Sequence, residues 1–283
     1  MPRFPKLKLP ENSFSVVIFH YGDLFWTEFT LNQIIDLENQ LIKHIYIVNQ
    51  DRNFEKLAHL NSLDSRLQLV MFPVAPKVDI NDSLRGSFDH ATSLNRFMKT
   101  QKIETTHLII LDNDCFPIKN NWLLEINNLL AKNDALIAEV PKRYYLTHPC
   151  LMVLPKEILP KLDFAEGMIE LGFDTGRLIG LQCIKNKIRP YILLSDLECD
   201  GLIGISYLKR NFIHLVATSY QETRKVNRKT DKIRILVARE FKKNFFKKWK
   251  VKNFPKVKTK VFKFSRFNYI LRFFLLVLLV KKN

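Results

Sequence analysis

Between Phe14 and Val140 short apolar runs alternate with stretches of helical spacing, and that alternation limits the fold more than any other feature of the chain. Phe14–Phe19 (FSVVIF) is a β-branched apolar run, and Thr27–Leu41 follows with Phe29, Ile34, Ile35 and Leu37 at helical spacing. His44–Val48 (HIYIV) predicts a second strand, closed by the polar stretch Asn49–Asn53, and Arg66–Val74 a third. A helix over Ser87–Thr100, a strand over Thr106–Leu111 (THLIIL), a helix over Trp122–Ala131 and a strand over Ala135–Val140 continue the pattern. Strands alternating with helices predict an α/β domain with a mainly parallel, doubly wound sheet. In such sheets ligands sit beyond the carboxyl ends of the strands, where His20–Asp23, Asn49–Asp51 and Asp112–Asp114 all fall.

From Pro149 to Tyr220 the pattern is less regular. Cys150–Leu154 is apolar, a helix is predicted near Lys156–Leu162, glycines punctuate Gly167–Gly180, and a helix over Arg177–Lys187 precedes strands at Arg189–Leu194 and Asn211–Val216. No Ser/Gly/Pro linker separates this half from the first, so residues 13–220 read as one domain. The remainder differs in charge. The chain is +17 in all, yet residues 221–283 hold 21 of its 45 basic and only 3 of its 28 acidic side chains. The first 220 residues are close to neutral, so a polyanionic partner belongs to the tail. Cys115, Cys150, Cys183 and Cys199 lie far apart with no CxxC pair, which predicts reduced thiols rather than a disulfide framework or a zinc cluster. The leader MPRFPKLKLPENSF lacks the apolar run and cleavage site of a signal peptide, and a cytoplasmic domain is expected.

Asp112-Asn113-Asp114 directly follows a buried-type strand, which projects two carboxylates from the sheet edge toward one point. Hard oxygen donors suit Mg²⁺ or Mn²⁺, and such an ion binds a diphosphate; a turn-capping role before Pro117 is the alternative. Gly86-Ser87 opens a helix that carries His90 and Asn95, with Ser87 as its expected N-cap, and helix N-termini attract phosphate. His90 reads either as a lining residue or as a structural hydrogen-bonding group. Asp174 lies in a polar, glycine-flanked turn, where it serves as a site carboxylate or as a cap. His214, inside an apolar strand, is a ligand or a satisfied core histidine.

In this order the segments resemble the family 2 type of GT-A glycosyltransferases. The resemblance rests on SVVIFHY (Ser15–Tyr21), IYIVNQ (Ile45–Gln50), GSFDHATSLNRF (Gly86–Phe97), HLIILDNDCFP (His107–Pro117), THPCLMVLP (Thr147–Pro155), GFDTGRLIG (Gly172–Gly180) and FIHL (Phe212–Leu215), and spans about residues 13–220. It implies a Rossmann-like GT-A fold in which Asp114 binds the Mn²⁺ or Mg²⁺ that bridges a donor diphosphate. Asp112 would contact the ribose or the metal, and His214 would be a further ligand. Asp174 would take the proton of an acceptor hydroxyl, with inversion at the sugar. His20, Tyr21, Asp23, Asn49 and Asp51 would hold base and ribose, with His90 and Asn95 as further donor-side residues. Asn49 stands where many relatives carry an aspartate, with Asp51 close by. The implied donor is a UDP- or dTDP-linked sugar and the acceptor a surface polysaccharide or lipid-linked glycan.

In the tail, Val237, Phe241, Phe245 and Trp249 recur every four residues among Lys242, Lys243, Lys247, Lys248 and Lys250, the pattern of a basic amphipathic helix. Phe267–Val280 would form a helix of roughly 21 Å, short of a hydrocarbon core about 30 Å thick, and Arg272 interrupts it. Residues 233–283 are therefore expected to lie on an anionic membrane surface, which makes the protein peripheral on the inner face of the cell membrane. Docking of this helix on the protein's own surface is the alternative. No nucleic-acid partner is expected, since the tail matches no recognised reading module. Two rival functions remain: a sugar-nucleotide pyrophosphorylase, whose Gly-rich basic phosphate loop Phe19–Asp23 lacks, and a degenerate binding scaffold, which intact Asp112, Asp114, Asp174 and His214 oppose.

Overall fold

The computed structural model describes residues 12–37, 40–51, 55–72, 85–139, 146–195, 197–199, 205–208, 211–214 and 259–260. Seven strands form the main sheet: β1 (Phe14–His20), β2 (Ile42–Asn49), β3 (Leu67–Met71), β4 (His107–Asp112), β6 (Ala135–Glu139), β7 (Thr147–Pro155) and β8 (Pro190–Leu193). Their order is β3-β2-β1-β4-β7-β6-β8, and β7 alone runs against its two neighbours. This is the Rossmann-like, mainly parallel sheet flanked by helices that the sequence implies.

Alternation along the strands divides the core between two faces. Val16, Ile18, Ile45, Ile47, Ile109 and Leu111 pack with α1 (Leu24–Asp36), a 3₁₀ segment (Glu55–Ser62) and α3 (Trp122–Leu130), with Leu31, Ile34 and Trp122 fully buried. Val17, Phe19, Val48, Leu108 and Ile110 face α2 (Arg85–Thr100), α4 (Met168–Leu171) and α5 (Ile179–Lys185), against Leu94, Phe97 and Ile179. Runs buried on both faces carry no period of two in hydropathy, which is why they read as continuous apolar segments.

A second sheet, unforeseen in the sequence, has the order β12-β9-β10-β11-β5, from β5 (Cys115–Pro117), β9 (Leu197–Cys199), β10 (Ile205–Tyr207), β11 (Phe212–His214) and β12 (Thr259–Lys260). Its strands of two or three residues are too short to show a hydrophobic period. Through β12 the basic tail joins this sheet, pairing with Cys199 and Glu198.

Several boundaries differ from expectation. α1 starts three residues early because Asp23 caps it, its Oδ1 accepting from the Phe25 N–H. The helix expected near Lys156–Leu162 is a 3₁₀ turn over Leu159–Lys161, in which Pro160 has no N–H to donate. Ser87 is not an N-cap: α2 has begun at Arg85, a stronger helix former, and Ser87 lies in its first turn. Asp174 caps no helix either, for α5 begins only at Ile179. Residues 221–283, apart from Thr259–Lys260, and hence the expected tail helices, lie outside the described residues, as does the boundary near residue 220. Among the described residues no helix is long and apolar enough to cross a membrane.

Candidate functional site

The strand order reverses between β1 and β4, which pair in parallel at the centre of the sheet. A crevice opens where the chain departs in opposite directions from two such strands. The register sets Phe19 beside Asp112 and His20 beside Asn49, so β1, β2 and β4 deliver His20, Asn49 and Asp112 to the same edge.

On the β1–β2 side Asp51 presents a half-buried carboxylate. Asn49 is wholly buried, and its side-chain oxygen accepts from the Asp51 N–H at 2.9 Å. The Asp51 Oδ2 accepts from the Gly22 N–H at 3.1 Å and lies 3.4 Å from His20 Nε2. Gly22 adopts φ +79°, a conformation that a Cβ would strain. His20 is anchored from behind by Thr27 Oγ1 at 2.7 Å. Burial raises the Asp51 pKa, but His20 and the Gly22 N–H outweigh it and leave the carboxyl below its usual range.

On the β4 side the turn after the strand is fixed twice. Thr30 Oγ1 donates to the Asn113 carbonyl at 2.7 Å, and Asn113 Nδ2 donates to the Tyr21 carbonyl at 3.3 Å. The chain then enters β5 at once, and antiparallel pairing sets Cys115 opposite His214. His214 Nε2 therefore lies 3.4 Å from Asp114 Oδ1 and 3.7 Å from Asp112 Oδ2. Ligand atoms of Asp112, Asp114 and His214 all fall within 4.8 Å of one another, a donor set that fits Mn²⁺ or Mg²⁺. Asp114 and His214 are almost fully buried, whereas Asp112 opens to the crevice.

Two more imidazoles surround Asp112: His90 Nε2 at 3.4 Å from Oδ1, and His148 Nδ1 at 3.9 Å from Oδ2. Burial pushes the Asp112 pKa up, and His90, His148 and His214 together bring it below the usual carboxylate range. His214 shows the converse: burial disfavours its charge, yet Cys150 and Asp114 raise its pKa well above that of a free imidazole. His90 is also tied to the β2 edge, with Nδ1 3.3 Å from Gln50 Oε1, and its ring stands edge-on to Phe19.

Asp174 occupies a neighbouring wall. Arg177 Nη2, itself buried, donates to Asp174 Oδ2 at 2.8 Å, and the Thr175 N–H donates to Oδ1 at 2.9 Å. Burial opposes ionisation, but Arg177, Ser87 and His148 hold the Asp174 carboxyl below its ordinary pKa. Thr175 Oγ1 donates to the Ser87 carbonyl, which joins this turn to the start of α2. Of the other expected residues, Asp23 caps α1 and Tyr21 supplies a carbonyl to the turn. Asn95 faces elsewhere: it donates to Asp163 and accepts from the Phe164 N–H.

Sequence reasoning missed His148, Cys150 and Gln50. His148 and Cys150 lie at the start of β7, where the Cys150 N–H donates to His148 Nδ1 at 3.0 Å, but nothing in THPC announces that β7 runs beside β4 and brings them to the Asp112 edge.

No protein-family model matches the chain, and no curated protein matches it in sequence. Among solved structures, a 4-diphosphocytidyl-2C-methyl-D-erythritol synthase from Anaerococcus prevotii is similar over 82% of this chain and 96% of its own, at 11% identity and a TM-score of 0.48. The mannosyltransferase PcManGT from Pyrobaculum calidifontis, in complex with GDP-Man and Mn²⁺, is similar over 67% of this chain and 58% of its own, at 14% identity and a TM-score of 0.46. TarS residues 1–349 from S. aureus, in complex with UDP-GlcNAc, are similar over 64% of this chain and 56% of their own, at 13% identity and a TM-score of 0.44. The chain thus spans a little over half of these two transferase structures.

Proposed function

We infer that the protein is a metal-dependent glycosyltransferase that uses a nucleoside-diphosphate sugar, UDP- or dTDP-linked, and glycosylates a surface polysaccharide or lipid-linked glycan at the cytoplasmic face of the membrane. The observation that carries this reading is the meeting of Asp112, Asp114 and His214 beside Asp51 at the reversal point of the sheet. Asp112, Asp114 and His214 would hold the Mn²⁺ or Mg²⁺, which supplies neutralisation of the charge that grows on a departing diphosphate. The protein's own residues do the rest. Asp51, kept ionised by His20 and the Gly22 N–H, accepts from ribose hydroxyls. Asn49 orients Asp51 through its N–H. His90 and His148 hold Asp112 in an ionised state at the open side of the crevice. Asp174 receives the acceptor hydroxyl's proton as the sugar carbon inverts; Arg177 keeps it ionised at neutral pH while lowering its basicity.

The test is thermal stabilisation of the full-length protein by UDP, dTDP, GDP and CMP, each with and without Mn²⁺. A ligand bound only by the folded state raises apparent stability by RT ln(1 + [L]/Kd), about 2.7 kcal/mol at a hundredfold excess over Kd. One diphosphate should give a shift that needs Mn²⁺ and disappears in Asp114→Asn. No shift with any of the four would end this reading.

A further inference from the structure

The site described above uses one side of His214. Its other ring nitrogen, Nδ1, is buried without a hydrogen-bond partner among the described residues, in a side chain that is only 5% exposed. An orphaned imidazole nitrogen in such a place is costly unless something occupies it. His148 and Cys150 of β7 stand beside the same ring, and His148 Nδ1 accepts from the Cys150 N–H at 3.0 Å, which leaves its Nε2 for a metal. The ring of His148 lies 5.3 Å from that of His214 between centroids, and ligand atoms of His148, Cys150 and His214 fall within 4.8 Å of one another. We propose that His148, Cys150 and His214 form a second metal site, selective for Zn²⁺, which shares His214 with the Asp112–Asp114 carboxylates.

The donor chemistry argues for it. One thiolate and two imidazoles are a borderline-soft set, which favours Zn²⁺ over Mg²⁺ or Mn²⁺. Tetrahedral zinc holds its ligand atoms about 3.5 Å apart at ordinary Zn–N and Zn–S lengths, so donors within 4.8 Å close on the ion by small rotations. Three protein ligands leave a fourth position for water, and His148, at 23% exposure, forms the entry side. On binding, the Cys150 thiol releases its proton to solvent and the sulfur lone pair goes to the metal. Because His214 serves both donor sets, Zn²⁺ draws it away from the carboxylates, and zinc is expected to weaken Mn²⁺ binding. Nothing in this depends on glycosyl transfer.

Cobalt reports the site directly, since Co²⁺ takes zinc positions and shows an intense absorption when bound to thiolate. Metal-free full-length protein titrated with Co²⁺ should develop that band, and Zn²⁺ should abolish it. Asp114→Asn should keep the band while losing Mn²⁺ binding; Cys150→Ser should lose the band while keeping Mn²⁺ binding. Should Cys150→Ser fail to fold, His148→Gln, at a half-buried position, should also lose the band; because His148 faces Asp112 as well, its Mn²⁺ binding is not the readout there. Its loss of Co²⁺ affinity should be at least the roughly 10–100-fold that removing even an outer-shell partner costs. Absence of the band in the unmodified protein, its persistence in Cys150→Ser, or its loss in Asp114→Asn would each overturn the proposal. Failure of the nucleotide-dependent thermal shift would leave it standing, because that measurement reads the other donor set.

Discussion

Single residues decide which carboxylate does what at the crevice. Asp51 rather than Asn49 presents the charge, and its folded-state pKa is depressed by His20 and the Gly22 N–H against the opposing effect of burial. A depressed carboxyl contributes stability that is present above the unfolded value, about 3.9, and is lost as pH falls through the folded one. Asp51→Asn keeps an acceptor for Gly22 but loses the charge, and should cost on the order of 1 kcal/mol at pH 6. In urea unfolding followed between pH 6 and 2, the gap between the two proteins should close below about pH 4; a gap independent of pH would mean that the charge on Asp51 contributes nothing. At Asp174, neutralising the buried cation by Arg177→Met should raise the Asp174 pKa and shift the acidic limb of any transfer-rate profile to higher pH. Much of this scale was legible. Asp112 and Asp114 could be named because two hard carboxylates after a buried strand are chemically conspicuous, whereas His214, open between ligand and core histidine on its strand alone, was singled out by the family resemblance. His148 and Cys150 were not, since their meaning comes from β7 lying beside β4, a proximity that sequence spacing does not carry; the reduced thiols expected are found at Cys115, Cys150 and Cys183.

Among the elements, the parallel strands announced themselves and the reversed one did not. β1, β2 and β4 are continuous β-branched runs closed by polar residues, so type and carboxyl ends both follow from sequence. β7 is equally apolar, but strand direction leaves no trace in composition, and its reversal is what carries His148 to the same edge as Asp112. The turn before α5 is the element on which the Asp174 wall depends. Gly176 there has φ +66°, and a Cβ would meet Phe164 Cδ1 at 3.3 Å, with Met152 and Pro149 just behind. Its carbonyl accepts from Thr147 Oγ1, which links the turn to the start of β7. Gly176→Ala therefore combines a left-handed backbone with close contact, and should cost at least the roughly 1–2 kcal/mol of the backbone term alone. Chemical denaturation reads that loss. Because Asp174, Thr175 and Arg177 share the turn, the transfer rate should fall as well, whereas the Mn²⁺ affinity set by β4 and β11 should be unchanged. A parallel loss of metal binding would show that the two walls are not separable.

Across the whole molecule, charge and chemistry are segregated. The first 220 residues are nearly neutral, and the excess of cations lies beyond them. The only part of that tail among the described residues, Thr259–Lys260, extends the small sheet whose other end is β5, the strand that follows Asp114. A surface bound through the tail would therefore be connected, strand by strand, to the β5–β11 pair that sets His214 against Asp114. We propose that residues 233–283 hold the protein on anionic lipid. With each Lys or Arg near such a surface contributing about 1 kcal/mol, the full-length protein should co-sediment with vesicles containing phosphatidylglycerol and not with phosphatidylcholine alone. The electrostatic part should weaken as salt shortens the Debye length from about 10 Å at 0.1 M to about 3 Å at 1 M. Replacing Lys242, Lys243, Lys247 and Lys248 with Gln should remove the preference for anionic lipid, while replacing Phe241, Phe245 and Trp249 with Ser should weaken binding to both compositions at high salt. Salt-independent binding to neutral vesicles would assign the attachment to the apolar stripe and Phe267–Val280 alone. No binding to either would leave the tail to the protein's own surface, and a membrane-borne acceptor would lose its support.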